Sequence, residues 1–297
     1  MNFARSPQVH IPVLLHESIT ALAIQNGDVV VDGTFGGGGH SSELDTMYGN
    51  TISLICVDLD EDAQKRFEIL FQKSSAIFVH DNYKNASAIL DVAKKTKANK
   101  VLLDIGTSSF QLDTDTRGFS FNSDAPLHMT LSKEGSHTGF TAYDIVNTWE
   151  ETSIADIIFY YGEDTFARVI AKAIVKARAL APIKTSKELG ELIAGVIKRK
   201  GRLHPATKTF QALRIAVNDE LAVLKEALQA WWEHLAPSGR IAVITFHSLE
   251  DRIVKRWMVD LKDDKRVITK KPIIPSEEEL HTNPRSRSAK LRIIEKI

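Results

Sequence analysis

Three aspartates that could bind a ligand each follow an apolar run of the chain, and a glycine-rich loop follows the first of them. Asp32, Asp58 and Asp104 end runs of mostly aliphatic residues, and the stretch 33–39 contains five glycines. A carboxylate accepts hydrogen bonds from hydroxyl and ammonium groups. Glycines allow a ligand to approach the main chain closely, as in nucleotide-binding α/β proteins. These residue types in this pattern favour the binding of a nucleoside.

The spacing of the glycines narrows the class of ligand. Gly33, Gly36 and Gly38 do not form the G-x-G-x-x-G pattern of a dinucleotide site, and the loop has no lysine of the kind found in a P-loop. The loop therefore favours a neutral or cationic nucleoside over a phosphate. A tight glycine turn that binds no ligand is the alternative on the loop alone.

For the three aspartates to bind one ligand, they must lie at the ends of parallel strands that meet at one edge of a sheet. Val29–Val31 consists of β-branched residues, which suits a strand buried on both faces. Because ligands of open α/β sheets collect at the carboxyl ends of the strands, the three aspartates should meet there. The predicted strands are Val29–Val31, Ser53–Asp60, Ala76–His80, Lys100–Gly106, Arg240–Phe246 and Lys290–Ile294, the last with one exposed face.

Two acids end the second strand, and their roles differ. Asp58 is the candidate for the ribose hydroxyls, because nucleoside-binding α/β folds place an acid at this position. A helix N-cap is the alternative for Asp58 and Asp60, since Glu61 and Asp62 begin a helical pattern.

A block of helices separates the fourth strand from the fifth. Residues 110–210 are predicted to form an inserted helical domain, whereas 1–109 and 211–297 form one discontinuous α/β domain. Thr185–Glu188 has the pattern of a capping box. The predicted helical stretches are Ser41–Met47, Ile154–Tyr161, Thr165–Leu180, Lys187–Arg199 and the long amphipathic run Ala206–Leu235, which contains neither Gly nor Pro.

Composition limits the class of protein. The 297 residues carry 38 basic and 38 acidic side chains, but Lys172–Arg214 has eleven Lys or Arg against two Glu, a net charge of +9. Such a segment either faces phosphates or is a solvated helix face.

A single cysteine, Cys56, excludes a disulfide framework and a Cys-built metal cluster. With no signal-peptide pattern and no long apolar run, we expect a cytoplasmic protein without membrane contact.

Taken together, the motifs resemble those of one enzyme family, the bacterial 16S ribosomal RNA cytosine-N4 methyltransferases (the RsmH, formerly MraW, family). The glycine loop alone is weakly specific, whereas the ordered set is very specific and spans nearly the whole chain. The matching segments are His10–Leu15, Asp32–Ser41, Asp104–Asp113, Arg117–Phe121, Tyr161–Glu163, His204–Asn218, Phe246–Arg252 and Asn283–Ser288.

The resemblance implies a Rossmann-like class I methyltransferase sheet and S-adenosylmethionine as cofactor. Asp58 would hold the ribose, Tyr83 would lie near the adenine, and Asp104 and Gln111 would line the methionine end. Asp32 would become a structural acid behind the site. The full set of implied cofactor contacts is Gly38, Gly39, His40, Asp58, Tyr83, Asp104 and Gln111, and no metal site is implied.

The implied reaction is methyl transfer to the exocyclic N4 amine of a cytidine. Asp104 is the best-placed acid to accept the amine proton, although a purely cofactor-orienting role is equally open. His247 is a general base or a structural hydrogen-bonding residue. Arg117, Phe119, Phe121 and the strand end Phe246-His247-Ser248 are candidates to surround the flipped base.

The implied partner is 16S rRNA within the small ribosomal subunit, contacted by the +9 segment and by Arg285, Arg287 and Lys290. A homodimer is compatible with the sequence. Ala125–Leu131 reads Ala-Pro-Leu-His-Met-Thr-Leu where the family usually has Gly-Pro-Leu-Asp-Met-Arg-Met, and Phe110 replaces a proline. These departures leave two alternatives open: a divergent paralogue that methylates another RNA or a DNA base, and a non-catalytic RNA-binding homologue.

Overall fold

A computed structural model describes residues 11–106, 116–132, 135–136, 138–198, 204–262 and 264–297. The chain divides into two compact units, with the divisions after Gly106 and before Val223. The first unit contains a β-sheet and its flanking helices, and the second is helical. The sequence placed the divisions at 109/110 and 210/211. The chain re-enters the first unit later than predicted because the helix Thr207–Asn218 packs within the helical unit.

The first unit is built on a seven-stranded sheet, which confirms the predicted Rossmann-like α/β class. Its order is β3-β2-β1-β4-β5-β7-β6, with β1 to β5 parallel and β7 antiparallel to both of its neighbours. Asp32, Asp58 and Asp104 end three of the parallel strands. The strands are β1 Val29–Asp32, β2 Ser53–Asp58, β3 Ile77–His80, β4 Ala98–Asp104, β5 Leu235–Thr245, β6 Lys265–Val267 and β7 Lys290–Lys296.

The prediction of an exposed face on the last strand is wrong. The five residues 291–295 of β7 are all buried. The strand lies between β5 and the short β6, which the sequence pattern did not reveal, so neither edge of β7 is free. Its polar residues are buried in ion pairs: Arg292 with Asp251, and Glu295 with Arg240.

Helices cover the sheet and bury its aliphatic side chains. β1 is buried at Val30, Val31 and Asp32, as expected for a strand covered on both faces. Trp231 and Trp232 are among the largest side chains of the core beside it. The helices of this unit are α1 Leu15–Leu22, α2 Gly39–Tyr48, α3 Glu61–Leu70, α4 Ala86–Val92, α10 Glu220–Glu233 (whose first residues belong to the helical unit), α11 Ser248–Asp260 and α12 Glu277–Thr282, with 3-10 turns at Gly49–Thr51 and Pro284–Ser288.

The helical unit has its own aliphatic core, which includes Ile158, Ile170, Leu189 and Leu213. The predicted capping box is present: the Thr185 hydroxyl accepts the Glu188 N–H at 3.2 Å, and the Glu188 carboxylate accepts the Thr185 N–H at 3.1 Å. Its helices are α5 Ala142–Thr148, α6 Glu151–Gly162, α7 Ala167–Arg178, α8 Ser186–Val196 and α9 Thr207–Asn218.

The amphipathic run Ala206–Leu235 forms two helices and not one. The chain breaks at Asp219, which adopts φ 49° and separates α9 from α10. Asp and Asn tolerate this left-handed conformation better than most residues. In the described part of the chain, no helix is long and apolar enough to cross a membrane.

Candidate cofactor site and active centre

The carboxylate of Asp32 lies beneath the glycine loop and holds it to α2. One oxygen accepts the Thr34 N–H at 3.2 Å, and the other accepts the Ser41 hydroxyl at 2.6 Å. Burial raises the pKa of Asp32 to about 6, against the lowering effect of these hydrogen bonds. Asp32 thus has a structural position, as the resemblance implied.

The glycines of the loop lie where a side chain would not fit. Gly38 adopts φ 80° and precedes α2. A Cβ atom on Gly39 would lie 2.2 Å from Pro12 Cγ, and one on Gly33 would lie 2.5 Å from Leu103 Cδ2. The loop therefore requires glycine for close packing as well as for its turn.

Asp58 braces the loop from the next strand. Its carboxylate accepts the Gly36 N–H at 2.7 Å and the Asp60 N–H at 2.8 Å, and burial raises its pKa. The N-cap of α3 is Asp60, which accepts the Asp62 N–H at 3.1 Å. Each carboxylate oxygen has two lone pairs, so Asp58 retains acceptor capacity for a ligand.

Asp104 ends β4 beside His40, the second residue of α2. Its main-chain N–H donates to the Thr34 hydroxyl at 2.7 Å, and its Oδ2 lies 3.7 Å from His40 Nδ1. Asp104 Oδ1 is buried and has no hydrogen-bond partner among the described residues. Burial raises the pKa of Asp104 well above its usual value, and the charges of Asp32 and Glu250 raise it further.

His247 caps α11, which favours the structural role over that of a general base. Its Nδ1 accepts the Glu250 N–H at 3.3 Å, and the Glu250 carboxylate accepts the N–H groups of His247 and Phe246. His247 Nε2 lies 3.0 Å from Glu250 Oε1, but the two are misaligned for a hydrogen bond. The reciprocal contacts form a capping box with histidine at the N-cap.

Glu250 and Thr34 are the two residues near Asp104 that sequence reasoning missed as contributors to the site. Glu250 is 1% exposed, and its charge acts on Asp104. The spacing of three residues from His247 to Glu250 is the signal that could have drawn attention to it. Thr34 gave no signal beyond its place in the loop.

Tyr83 lies beside the glycine loop, since its Cβ would be 3.3 Å from a Cβ on Gly33. The ring is half-buried against the core, and the main-chain carbonyl accepts the Trp231 indole N–H at 2.7 Å. Gln111 lies outside the described residues, as do Ser108, Ser109, Phe110 and Asp113.

Two of the aromatic residues expected to surround a base, Phe119 and Phe121, pack within the helical unit. Phe119 is 7% exposed, and Phe121 stacks on His204 with ring centroids 4.1 Å apart. The Arg117 guanidinium donates to the Leu131 carbonyl at 2.6 Å. Phe119 is buried in this core and Phe121 is partly buried against it, and the expectation that they surround the base stays a prediction.

The segment that departs from the family pattern is fixed to α9. The Asn218 side chain accepts the Leu131 N–H at 2.9 Å and donates to the Met129 carbonyl at 2.8 Å. Thr130 is 5% exposed, whereas His128 is exposed. The threonine is therefore compatible with a packed segment, and the histidine faces solvent within this unit.

Comparison with known proteins decides the family. A model described as the MraW methylase family matches residues 7–297. The chain belongs to the MraW methylase family. Members called ribosomal RNA small subunit methyltransferase H are similar along nearly the whole length. The one from Streptococcus dysgalactiae subsp. equisimilis is 42% identical, over 97% of this chain and 98% of its own. Those from Brevibacillus brevis and Clostridium botulinum are each 43% identical over 97% of this chain, and over 98% and 99% of their own chains.

Membership of the MraW methylase family confirms the resemblance seen in the motifs, and with it the expectation of an enzyme. A solved structure, that of PH0851, shares the fold at a TM-score of 0.50 and 14% identity, covering 100% of this chain and 50% of that one. The fold and the family therefore agree, while the roles of individual residues follow from the contacts described above.

Proposed function

We propose that this MraW methylase transfers a methyl group from S-adenosylmethionine to the exocyclic N4 amine of a cytidine in small-subunit ribosomal RNA. The observation that carries this proposal is the match to the family along residues 7–297, together with relatives at 42–43% identity that are named small-subunit rRNA methyltransferases. The buried acids at one sheet edge are consistent with this donor.

The arrangement of charges fits a cationic nucleoside. Asp32, Asp58 and Asp104 all have raised pKa values because of burial, and no Lys or Arg pairs with Asp104 within the described ranges. Asp104 Oδ1 is buried without a hydrogen bond. A sulfonium and an ammonium group near these acids would offset their mutual repulsion. When bound, S-adenosylmethionine supplies an electrophilic methyl group.

Each predicted contact has a distinct part in holding this donor. Asp58 would accept the ribose hydroxyls with its remaining lone pairs. The main chain at Gly39 and His40 begins α2, whose first N–H groups lack acceptors within the helix and suit a carboxylate. Gly38 precedes them, and its own N–H donates to the Phe35 carbonyl at 2.7 Å. Tyr83 would contact the adenine from its place beside Gly33. Gln111 remains a predicted contact outside the described residues.

Asp104 is the group that we assign to the reacting amine. The N4 lone pair is delocalised into the cytosine ring, so an acceptor for its N–H would localise that pair and stabilise the charge developing on nitrogen. The Asp104 main chain is fixed by Thr34 at 2.7 Å, which limits the positions of its carboxylate. Orientation of this kind contributes roughly 7–11 kcal/mol in favourable reactions.

The helical unit would contact the RNA backbone, as a substrate-recognition domain. Part of the +9 segment has internal partners: Arg214 pairs with Glu220 at 2.7 Å, and Arg178 donates to the carbonyl groups of Val146 and Trp149. The lysines left for phosphates are exposed and have no ion pair in the described structure; they are Lys172, Lys176, Lys184 and Lys198. Arg199, Lys200 and Arg202 lie outside the described residues.

Methyl transfer to unmethylated small ribosomal subunits, followed by nucleoside mass spectrometry, tests the proposal. We expect N4-methylcytidine in the small-subunit RNA and not in naked DNA. Cofactor binding without any N4-methylcytidine would overturn the assignment, and methylation of free DNA alone would favour the divergent paralogue. Calorimetry that shows no S-adenosylmethionine binding would favour the non-catalytic homologue.

A further inference from the structure

A surface cavity of about 320 Å³ opens in the first unit, beyond the end of β5. Its lining includes an apolar group, here called the apolar wall, and a polar group, here called the polar wall. The apolar wall includes Phe246, Ile274 and Leu280, and the polar wall includes His247, Ser248, Arg287 and Lys290. None of the predicted cofactor contacts lines this cavity. It therefore provides an additional place for a ligand.

The polar wall is positively charged. No carboxylate lines the cavity. Arg287 is exposed, and it has no acidic partner in the part of the chain that the structure describes. The Lys290 ammonium lies 3.2 Å from Asp251, but Arg292 lies 2.6 Å from the same carboxylate, so two cations share one anion. This excess of positive charge suits a phosphate group.

The apolar wall exposes large side chains. Ile274 is 64% exposed and Leu280 is 38% exposed, although both are aliphatic. A flat apolar group such as a nucleobase would remove this surface from water. A cavity of this volume is at the small end of ligand sites, roughly 300–1,000 Å³, and suits a single nucleotide.

The cavity begins next to the strand that carries Asp104. The Phe246 ring lies 3.4 Å from the position of a Cβ on Gly106, and the Ile105 N–H donates to the Ile244 carbonyl at 2.9 Å. An RNA strand whose target base reaches Asp104 would thus have its neighbouring nucleotides close to this wall.

We propose that the cavity binds one nucleotide of the RNA strand next to the target cytidine, with the phosphate between Arg287 and Lys290 and the base against Ile274 and Leu280. The assignment of this nucleotide to RNA rests on the function proposed above. Phosphate contacts of this kind fix the register of the strand and contribute salt-dependent affinity.

The experiment measures the affinity of the full-length protein for unmethylated small ribosomal subunits over a series of salt concentrations. Arg287→Gln should raise Kd about 5–10-fold near 0.1 M salt and reduce the slope of log K against log salt by about one. Leu280→Gln should raise Kd while leaving the slope unchanged, because no charge is lost. Arg256→Gln removes an exposed arginine of α11 that does not line the cavity, and should change neither quantity.

Thermal unfolding and S-adenosylmethionine affinity of each variant should match those of the unchanged protein, which excludes a folding defect. A photoreactive benzoylphenylalanine in place of Ile274 should cross-link to the RNA, and a cross-link to a ribosomal protein instead would overturn the proposal. The proposal would also be overturned if Arg287→Gln bound the subunits with the same Kd and salt slope as Arg256→Gln.

Methyl transfer is measured in parallel, so that the two proposals can fail separately. If N4-methylcytidine forms and Arg287→Gln binds the subunits as the unchanged protein does, the nucleotide subsite alone is refuted. Salt-dependent weakening by Arg287→Gln without any N4-methylcytidine would retain the subsite and refute the proposed reaction.

Discussion

His40 Nδ1 lies 3.7 Å from Asp104 Oδ2, while the opposite ring nitrogen, Nε2, lies 3.2 Å from the Val13 carbonyl oxygen. Because a carbonyl oxygen can only accept, Nε2 carries the proton of a neutral ring. His40 Nδ1 and the Asp104 carboxyl therefore face each other at a distance longer than a hydrogen bond. This pair links the glycine loop to the strand that carries the proposed acceptor.

Asp104→Asn should lower the rate of methyl transfer about 100-fold or more. The amide keeps the shape of the side chain but cannot take up a proton, and general base catalysis contributes roughly 10²–10⁴-fold. Single-turnover kinetics with saturating S-adenosylmethionine would measure the rate.

Asp81→Asn is the matched control for that measurement, since it also removes a carboxylate that follows a parallel strand. Asp81 accepts hydrogen bonds from Asn82 and Asn85, and the exchange should leave the rate nearly unchanged. A full rate in Asp104→Asn with a large rise in cofactor Kd would assign Asp104 to cofactor orientation alone.

Asp58→Ala should weaken S-adenosylmethionine binding by about tenfold or more, by the loss of charge-assisted hydrogen bonds to hydroxyl groups. Isothermal titration calorimetry gives the affinity. Asp58→Asn is the control for loop geometry, because its amide oxygen can still accept from Gly36 or Asp60. Unchanged affinity in the alanine variant would refute the ribose assignment.

Asp32→Asn should make the protein more stable at neutral pH. Burial raises the pKa of Asp32 from 3.8 to about 6, so the folded state binds the proton more tightly than the unfolded state. Below pH 4, burial of the protonated Asp32 carboxyl costs no stability. As the pH rises to about 6, the free energy of unfolding falls because the buried carboxyl resists ionisation, in total by about 3 kcal/mol.

Urea denaturation at pH 4, 5, 6 and 7 would measure this linkage as the difference in free energy of unfolding between Asp32→Asn and the unchanged protein. The difference should increase with pH over that window. Ser41→Ala serves as the control for the lost hydrogen bond of 2.6 Å. A difference that is constant with pH would contradict the raised pKa.

Arg292→Met should lower the free energy of unfolding by roughly 3–5 kcal/mol, because it leaves the Asp251 carboxylate largely buried with one partial partner, Lys290. The double variant Asp251→Asn/Arg292→Met should recover much of this loss, since no unpaired charge remains. Chemical denaturation of both variants tests the coupling. Equal losses in the single and double variants would show that packing, and not charge pairing, stabilises β7.

Local patterns predicted much of the α/β unit and the start of α8 in the helical unit. The β-branched run at Val29–Val31, the acids at the strand ends and the Thr185 capping box depend on near neighbours in the chain, and each has the predicted form. The buried β7 could not be predicted in the same way. Its polar residues are covered because Asp251 and Arg240, distant in sequence, neutralise them.

By itself, the amino-acid sequence determined the family, the α/β class and the positions of Asp32, Asp58 and Asp104 at the strand ends, because short-range patterns and ordered motifs specify these. Tertiary structure decided which partners each acid has. Asp32 is bound to Ser41, Asp60 caps α3, and Asp104 alone of the strand-end acids retains a buried oxygen without a partner in the described chain. Hydrogen-bond partners and burial depend on residues brought together from distant strands, and no local pattern encodes those distances.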